Sequence, residues 1–438
     1  MKAGAATLLA AALAAAAGCG GDGNSFASSP CSPTASEWAA ASPPAKLPVA
    51  PESERVDRAA PSFSEPTTVT NPLHPTSRLR SAVLLGEAEG ESLRVEVTLL
   101  LRTKRIQCGK GSVETLQSQY VAFLGGRIHE VALDWYAQDD AGAVWYFGED
   151  VFNFEEGVVA DTEGTWMAGR DGPAAMIMPA DPKVGDVYRP ENIPDLVFEE
   201  VTVKATGKTV DGPRGRVKGA IVVGELHMDG KREAKTFAPG YGEFSTGARN
   251  DIEAIALAVP TDARTEPVPR ELETLLRGAR GSFSQPGSAI TRQLTAAWNS
   301  YRTQGVPPLL EEQTDSALRR LTRDHGDARQ AAVDLGHAAL DLLLQYRPPT
   351  RIDRARFELW TRQVLIDAEA RDESALKGDV ATLERIFDRF SRTLPTSTGD
   401  QISSLLGALG EQSEHGAFAA AAATVGQLRE NAAFAGSP

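Results

Sequence analysis

The chain has 438 residues, of which 24% are charged and 42% hydrophobic, with three cysteines and a formal net charge of −14. Such a length exceeds one ordinary hydrophobic core and implies at least two domains. The acidic balance, with no basic stripe, argues against a nucleic-acid partner.

The N-terminus carries an address. Lys2 gives a positive start, Thr7 to Ala17 form an apolar run too short to span a bilayer, and Ala16-Ala17-Gly18-Cys19 follows. That ending resembles the lipobox of bacterial lipoproteins, although Ala16 stands where Leu is usual. The resemblance implies that residues 1–18 are a signal peptide and that Cys19 is lipidated as the mature first residue. The alternative is a secretory signal cut at an Ala-x-Ala site. The expectation is an exported protein, lipid-anchored to the cell membrane and facing the extracytoplasmic side. Residues 19–78 are rich in Ala, Ser and Pro, lack a hydrophobic period, and read as a disordered tether. A flexible coil of about 55 residues spans roughly 40 Å. The remaining cysteines, Cys31 and Cys108, form a candidate disulfide between the tether and the folded part.

From 79 to 262 the pattern has period two. In "LRVEVTLLL", Leu93, Val95, Val97, Leu99 and Leu101 alternate with Arg94, Glu96 and Thr98, as a half-buried strand requires. Similar runs follow ("QYVAFL", "IHEVALDWY", "VWYFGEDV", "LVFEEVTVKA", "KGAIVVGELHM", "DIEAIALAV"), separated by turn signals such as Asp229-Gly230. The spacing predicts an antiparallel meander curved into a barrel, half-barrel or sandwich. Past Pro267 the period becomes helical: Ile290, Leu294, Ala297 and Tyr301, then Ala328 to Tyr346, ended by Pro348-Pro349. Phe357, Trp360, Val364 and Ala368 continue it, followed by Val380, Leu383, Phe387 and Phe390, and last by Phe418, Ala422, Val425 and Leu428. Residues 268–438 therefore read as an up-and-down bundle of about six helices. The fold class is α+β with segregated parts.

One stretch concentrates aromatics: "LDWYAQDDAGAVWYFGED", Leu133 to Asp150. With a three-residue loop at Asp140-Ala141-Gly142, Ala137 falls opposite Trp145, Trp135 opposite Phe147, and Tyr136 opposite Tyr146. Cross-strand aromatic pairs alone explain the composition as core. The functional alternative makes Trp135, Trp145, Phe147, Tyr136 and Tyr146 the wall of a ligand site. The spacing Asp140-x-Gly142-x-x-Trp145 resembles an Asp-box hairpin, with "DTEGTW" (Asp161 to Trp166) a looser echo. That resemblance implies that Asp140 ties the turn and Trp145 packs beneath it. More broadly, "DWYAQDDAGAVWYFGED", "TEGTWMAGRDGPAAMIMPADPKVGDVYR" and "FAPGYGEF" are similar to a family of exported bacterial proteins and lipoproteins of uncharacterised function. The similarity covers about Arg80 to Pro260 and implies a β-rich domain in an exported protein, with no catalytic residues to transfer. The segments "AALDLLLQYRPP" and "DRARFELWTRQVLIDAEARD" resemble helical modules of actinobacterial-type exported proteins.

Other chemistry is sparse. Asp334, His337 and Asp341 sit at i, i+3 and i+7, which gives half of a carboxylate-bridged metal site, or a core histidine in an apolar stripe. His227-Met228 with Met167, Met176 and Met178 offers either a soft copper site or ordinary core. Asp324 and His325 read as the polar end of a helix. Asp134, Glu149, Asp150 and Glu155 supply carboxylates near the aromatic hairpin, and a glycosidase needs two at a defined separation. No Gly-x-Ser-x-Gly, His-Glu-x-x-His or phosphate-cradling loop occurs. The resulting expectation is a non-catalytic, cofactor-free, lipid-anchored exported protein. It would bind a small apolar or carbohydrate-like ligand, or an envelope protein partner. The alternatives are metal handling by the bundle and carboxylate-dependent glycoside hydrolysis.

Overall fold

The structure is a computed structural model that describes Cys31 and residues 47–58, 60–109, 111–248, 251–323 and 327–431. Residues 1–18, read above as a signal peptide, and Cys19, Asp324 and His325 lie outside the described residues.

The chain first builds an antiparallel sheet from β1 (Ser81–Ala88), β2 (Glu91–Cys108), β3 (Gly111–Leu124), β4 (Arg127–Gln138), β5 (Val144–Glu155) and β6 (Val158–Asp161). After the short β7 (Trp166–Met167) and β8 (Ala175–Met178), it adds β9 (Val187–Ile193), β10 (Val197–Gly212), β11 (Gly215–His227), β12 (Arg232–Ala238), β13 (Gly242–Ala248) and β14 (Asp251–Val259). The order is β6-β5-β4-β3-β2-β1-β14-β13-β12-β11-β10-β9, with β7 and β8 paired to β5. Two meanders are thus joined through their first and last strands, Ser81 opposite Val259. The sheet does not close, but it curls far enough that twelve of its fourteen strands contribute to one cavity. Alternation explains how one strand serves two sides. On β1, Ala82 and Leu84 face the cavity while Val83 packs on helices.

The polar face expected of β2 is not solvated. Glu96 is only 2% exposed, because helices cover that side.

Eight α-helices follow among the described residues, where the periodicity suggests about six. They are α1 (Arg270–Ser284), α2 (Ser288–Tyr301), α3 (Pro308–Arg323), α4 (Ala328–Leu343), α5 (Pro349–Ala370), α6 (Glu373–Phe390), α7 (Thr396–Glu414) and α8 (Phe418–Asn431). In place of one bundle they form two groups. Leu272, Leu294, Leu310 and Leu335 of α1–α4 share a core with Val83 and Leu257 of the sheet. Val364, Leu383, Ile402 and Val425 of α5–α8 share another with Val121, Phe123 and Val131. A wide sheet face needs more cover than one four-helix stripe gives. Pro348-Pro349 ends one helix as expected, and Pro349 also opens the next.

The later part of the expected tether is not a free coil. From Leu47 onward it lies along the β domain as a strap. Val56 donates its amide to Val187 at the exposed edge of β9, and Val69 and Leu73 are buried in the aromatic core. Thr70 and Asn71 donate their amides to the Gln138 side chain, and Ser62 and Ser64 bond to Asp140. Covering an open sheet edge supplies the physical reason. A few anchoring side chains in an extended segment leave no hydrophobic period to read. Cys31 and Cys108 form a disulfide at the end of β2.

Candidate functional site

The inner face of the curled sheet encloses a cavity of about 670 Å³. This lies in the usual size range for small-molecule sites. The hairpin of β4 and β5 forms one wall. Tyr136 and Tyr146 are register partners, and their rings stack with centroids 5.0 Å apart. His74 from the strap meets Tyr136 edge-on at 4.7 Å. The Tyr146 hydroxyl donates to Asp134 Oδ1 at 2.9 Å.

Two of the five aromatic candidates therefore reach the cavity, and three do not. Trp135, Trp145 and Phe147 are at most 1% exposed and belong to the aromatic core. Trp135 itself falls inside a one-residue register shift between Asp134 and Tyr136, so it does not form a regular ladder pair with Phe147. The reason is visible on β5. Gly148, at φ 113°, is crossed by β7, and a Cβ there would lie 2.2 Å from the Trp166 carbonyl oxygen. The turn differs by one residue from the Asp-box reading. Asp139 accepts the amides of Ala141 and Ala143 and the Trp145 indole N–H at 2.9 Å, whereas Asp140 binds the strap.

The rest of the lining is acidic, and much of it comes as cross-strand pairs. Asp134 is opposite Glu149, and Glu191 is opposite Glu199. Like charges facing each other repel, so burial and proximity favour the protonated forms. Burial, reinforced by Glu130 and Glu191, pushes the Asp134 carboxyl up to about 7. Burial, then the charges of Glu191 and Asp134, holds Glu149 well above the ordinary carboxylate range. Burial and Glu243 move Glu253 up to about 8. Lys235 is the single lysine or arginine in the lining, with Nζ 3.2 Å from Glu225 Oε2 and 3.8 Å from Glu243 Oε2. Burial works against its charge, but the surrounding carboxylates outweigh it and keep Lys235 protonated. Burial also carries Glu225 up to about 8 against the pull of Lys235.

Of the four hairpin carboxylates, Asp134 and Glu149 meet in the cavity, whereas Asp150 lies toward Lys104 and Glu155 is exposed. Glycoside hydrolysis pairs one acid with one ionised carboxylate. Both of these are held toward the neutral form.

The metal candidates on α4 do not converge. Asp334 is bound by Arg320 and Gln330, and Asp341 by Arg94 and Arg356. His337 packs against Trp360, and burial beside Arg94 and Arg356 lowers it to about 3. Guanidinium neighbours repel a metal cation. Of the methionines named with His227, Met176 and Met178 are buried in the aromatic core, Met167 packs against that core, and Met228 is exposed. A different group does come together. Glu225 and His227 share a face of β11 as i and i+2, and Glu233 is the register partner of Glu225. Their ligand atoms all lie within 4.8 Å of one another, at the margin of the cavity.

Apart from Asp134 and Glu149, the acidic lining was missed by sequence reasoning although a signal existed. In "GELHMDGKREAKTF" Glu225 and His227 on β11 and Glu233 and Lys235 on β12 alternate onto one face of a hairpin, which reads as solvated unless the sheet curls. No family model, curated protein or solved structure matches the chain.

Proposed function

We propose that this is an exported, lipid-anchored protein that binds a small molecule in the cavity of its β domain without converting it. The cavity of about 670 Å³, walled by the stacked Tyr136 and Tyr146, carries this reading. Ring faces beside hydrogen-bonding groups suit a compact polar molecule better than a lipid tail. The lipobox-like Ala16-Ala17-Gly18-Cys19 and the Cys31–Cys108 disulfide support the address.

A second reading, metal handling, is favoured by Glu225, His227 and Glu233. One imidazole and two carboxylates form an ordinary donor set for zinc or a similar ion. It moves the metal from the helical block to the rim of the cavity.

One experiment separates the readings. The full mature chain, purified from its own membrane fraction in mild detergent, goes to native mass spectrometry, with metal analysis of the same sample. A bound organic mass, lost in Tyr136→Ala/Tyr146→Ala, is expected. A stoichiometric metal without an organic mass shifts the function to metal handling. A protein empty of both overturns ligand binding in this cavity.

A further inference from the structure

We infer that the occupant of the cavity is a small organic cation, an amine or quaternary ammonium compound, rather than a neutral sugar, a fatty chain or an acid. This rests on the ligand-binding reading above and specifies its chemistry.

Charge count comes first. Nine lining side chains are Asp or Glu, one is Lys and none is Arg. Lys235 is already committed to Glu225 and Glu243. Asp134, Glu149, Glu191 and Glu253 line the same space and form no ion pair with Lys or Arg among the described residues. An anion entering here would meet carboxylates on several sides. A fatty chain would strip them of water with nothing in return. A cation does what protons do in the empty cavity, compensating carboxylate charge that partial burial leaves poorly solvated.

A second observation is independent of the acids. Tyr188 lines the cavity and is 1% exposed, and its buried hydroxyl has no hydrogen-bond partner among the described residues. Buried tyrosine hydroxyls ordinarily find a partner. Its oxygen can accept from an ammonium N–H. Tyr120, Tyr136 and Tyr146 bring further rings to the lining, and aromatic faces attract desolvated cations. Carboxylates among tyrosines form the environment in which organic ammonium groups are recognised.

The test is calorimetry on the full mature chain with putrescine, spermidine and choline as probes, against butane-1,4-diol, glucose and succinate. At least one of the three cations is expected to bind at one site, with no saturable heat from the neutral or anionic compounds. Glu253→Gln and Glu149→Gln keep the shape of a protonated carboxyl, so these variants are expected to fold, with an unchanged or higher melting midpoint. Each should weaken cation binding at pH 8 by about tenfold or more, the loss of one compensating charge. Binding of glucose or the diol while all three cations stay inert overturns the cationic class and leaves the ligand-binding role standing. Cation binding untouched in both folded Gln variants overturns the assignment to this cavity. Inertness to all six probes overturns the inference, and an empty native mass spectrum of the same protein removes the parent reading with it.

Discussion

Asp139 holds the hairpin that presents Tyr136 and Tyr146. One carboxylate satisfies two turn amides and the buried Trp145 indole, so the loop and the ring beneath it are positioned by the same two oxygens. Removing such an acceptor orphans buried donors, at about 1–3 kcal/mol for each buried group. Asp139→Ala is therefore expected to destabilise the fold by about 3 kcal/mol, read as a lower denaturant midpoint. Asp140→Ala, which loses only exposed bonds to Ser62 and Ser64, should change it by well under half as much. Equal effects would contradict this division of roles. The adjacent pair shows what the sequence could and could not say at this scale. Spacing identified an Asp-tied turn over a buried Trp, and Gly142 does take the left-handed φ of 96°. Two neighbouring aspartates satisfy such a spacing almost equally, and only the path of the strap separates them. The split between Trp and Tyr was legible as two faces. Which face would see the cavity depended on how the sheet curls.

Between elements, the sheet and helices are joined by buried ions as well as by apolar contact. Glu96 on β2 receives Arg356 Nη1 at 3.1 Å, Arg389 Nη1 at 2.5 Å and Arg94 Nη2 at 2.7 Å. Arg94 and Arg356 also bind Asp341 of α4. Burial raises the cost of ionising Glu96, yet the three guanidiniums hold its carboxyl well below the usual range. The sign follows from that lowering. Stability from Glu96 is present above the unfolded carboxylate range near 4 and is lost only as pH falls through the depressed folded value. Glu96→Ala leaves three buried cations sharing one fewer partner, and breaking a buried pair typically costs about 3–5 kcal/mol. The expected result is a loss of that size in urea unfolding, far above the cost of removing the exposed Glu54. A change below about 1 kcal/mol would show that the network contributes no stability. The period-two run in β2 announced the strand correctly, and it placed Glu96 on a polar face. That this face is covered, and that its cover is Arg356 and Arg389, required contacts between residues 260 to 293 positions apart. Local pattern carries no such information. Helix α7 shows the same limit, because Gly399, Gly407 and Gly410 among serines dilute the apolar period that tertiary packing of Ile402, Leu406 and Leu409 restores.

At the scale of the whole molecule, the switch from period two to period 3.6 near Pro267 made the segregated α+β plan legible. The curl of the sheet was not, because it follows from pairing β1 with β14 across the full β domain and from bulges along the strands. That curl creates the protein's main acid-base property. Asp134 is raised to about 7, and Glu225 and Glu253 to about 8, by burial among Glu130, Glu149, Glu191, Glu199 and Glu243, with Lys235 and His227 the facing cationic groups. A carboxyl raised on folding binds its proton more tightly in the folded state. Between the unfolded value near 4 and the folded value, the native protein carries more protons than the unfolded chain, so stability falls as pH rises through that window. The interface carboxylate Glu96, shifted the other way, makes its change at more acidic pH. Buried His74 and His337, lowered to about 4 and about 3, oppose the fall only up to their unfolded value near 6.5 and are outnumbered by the raised carboxyls. Scanning calorimetry of the ligand-free chain should therefore show a lower midpoint at pH 8.5 than at pH 5.5, by on the order of 5 °C. Glu253→Gln, which cannot ionise, should flatten part of that fall. An organic cation that displaces the protons should recover more stability at pH 8.5 than at pH 5.5, because at low pH it competes with them. A midpoint that rises steadily from pH 5.5 to pH 8.5 in the ligand-free protein would mean that the cavity carboxyls titrate as ordinary solvated acids.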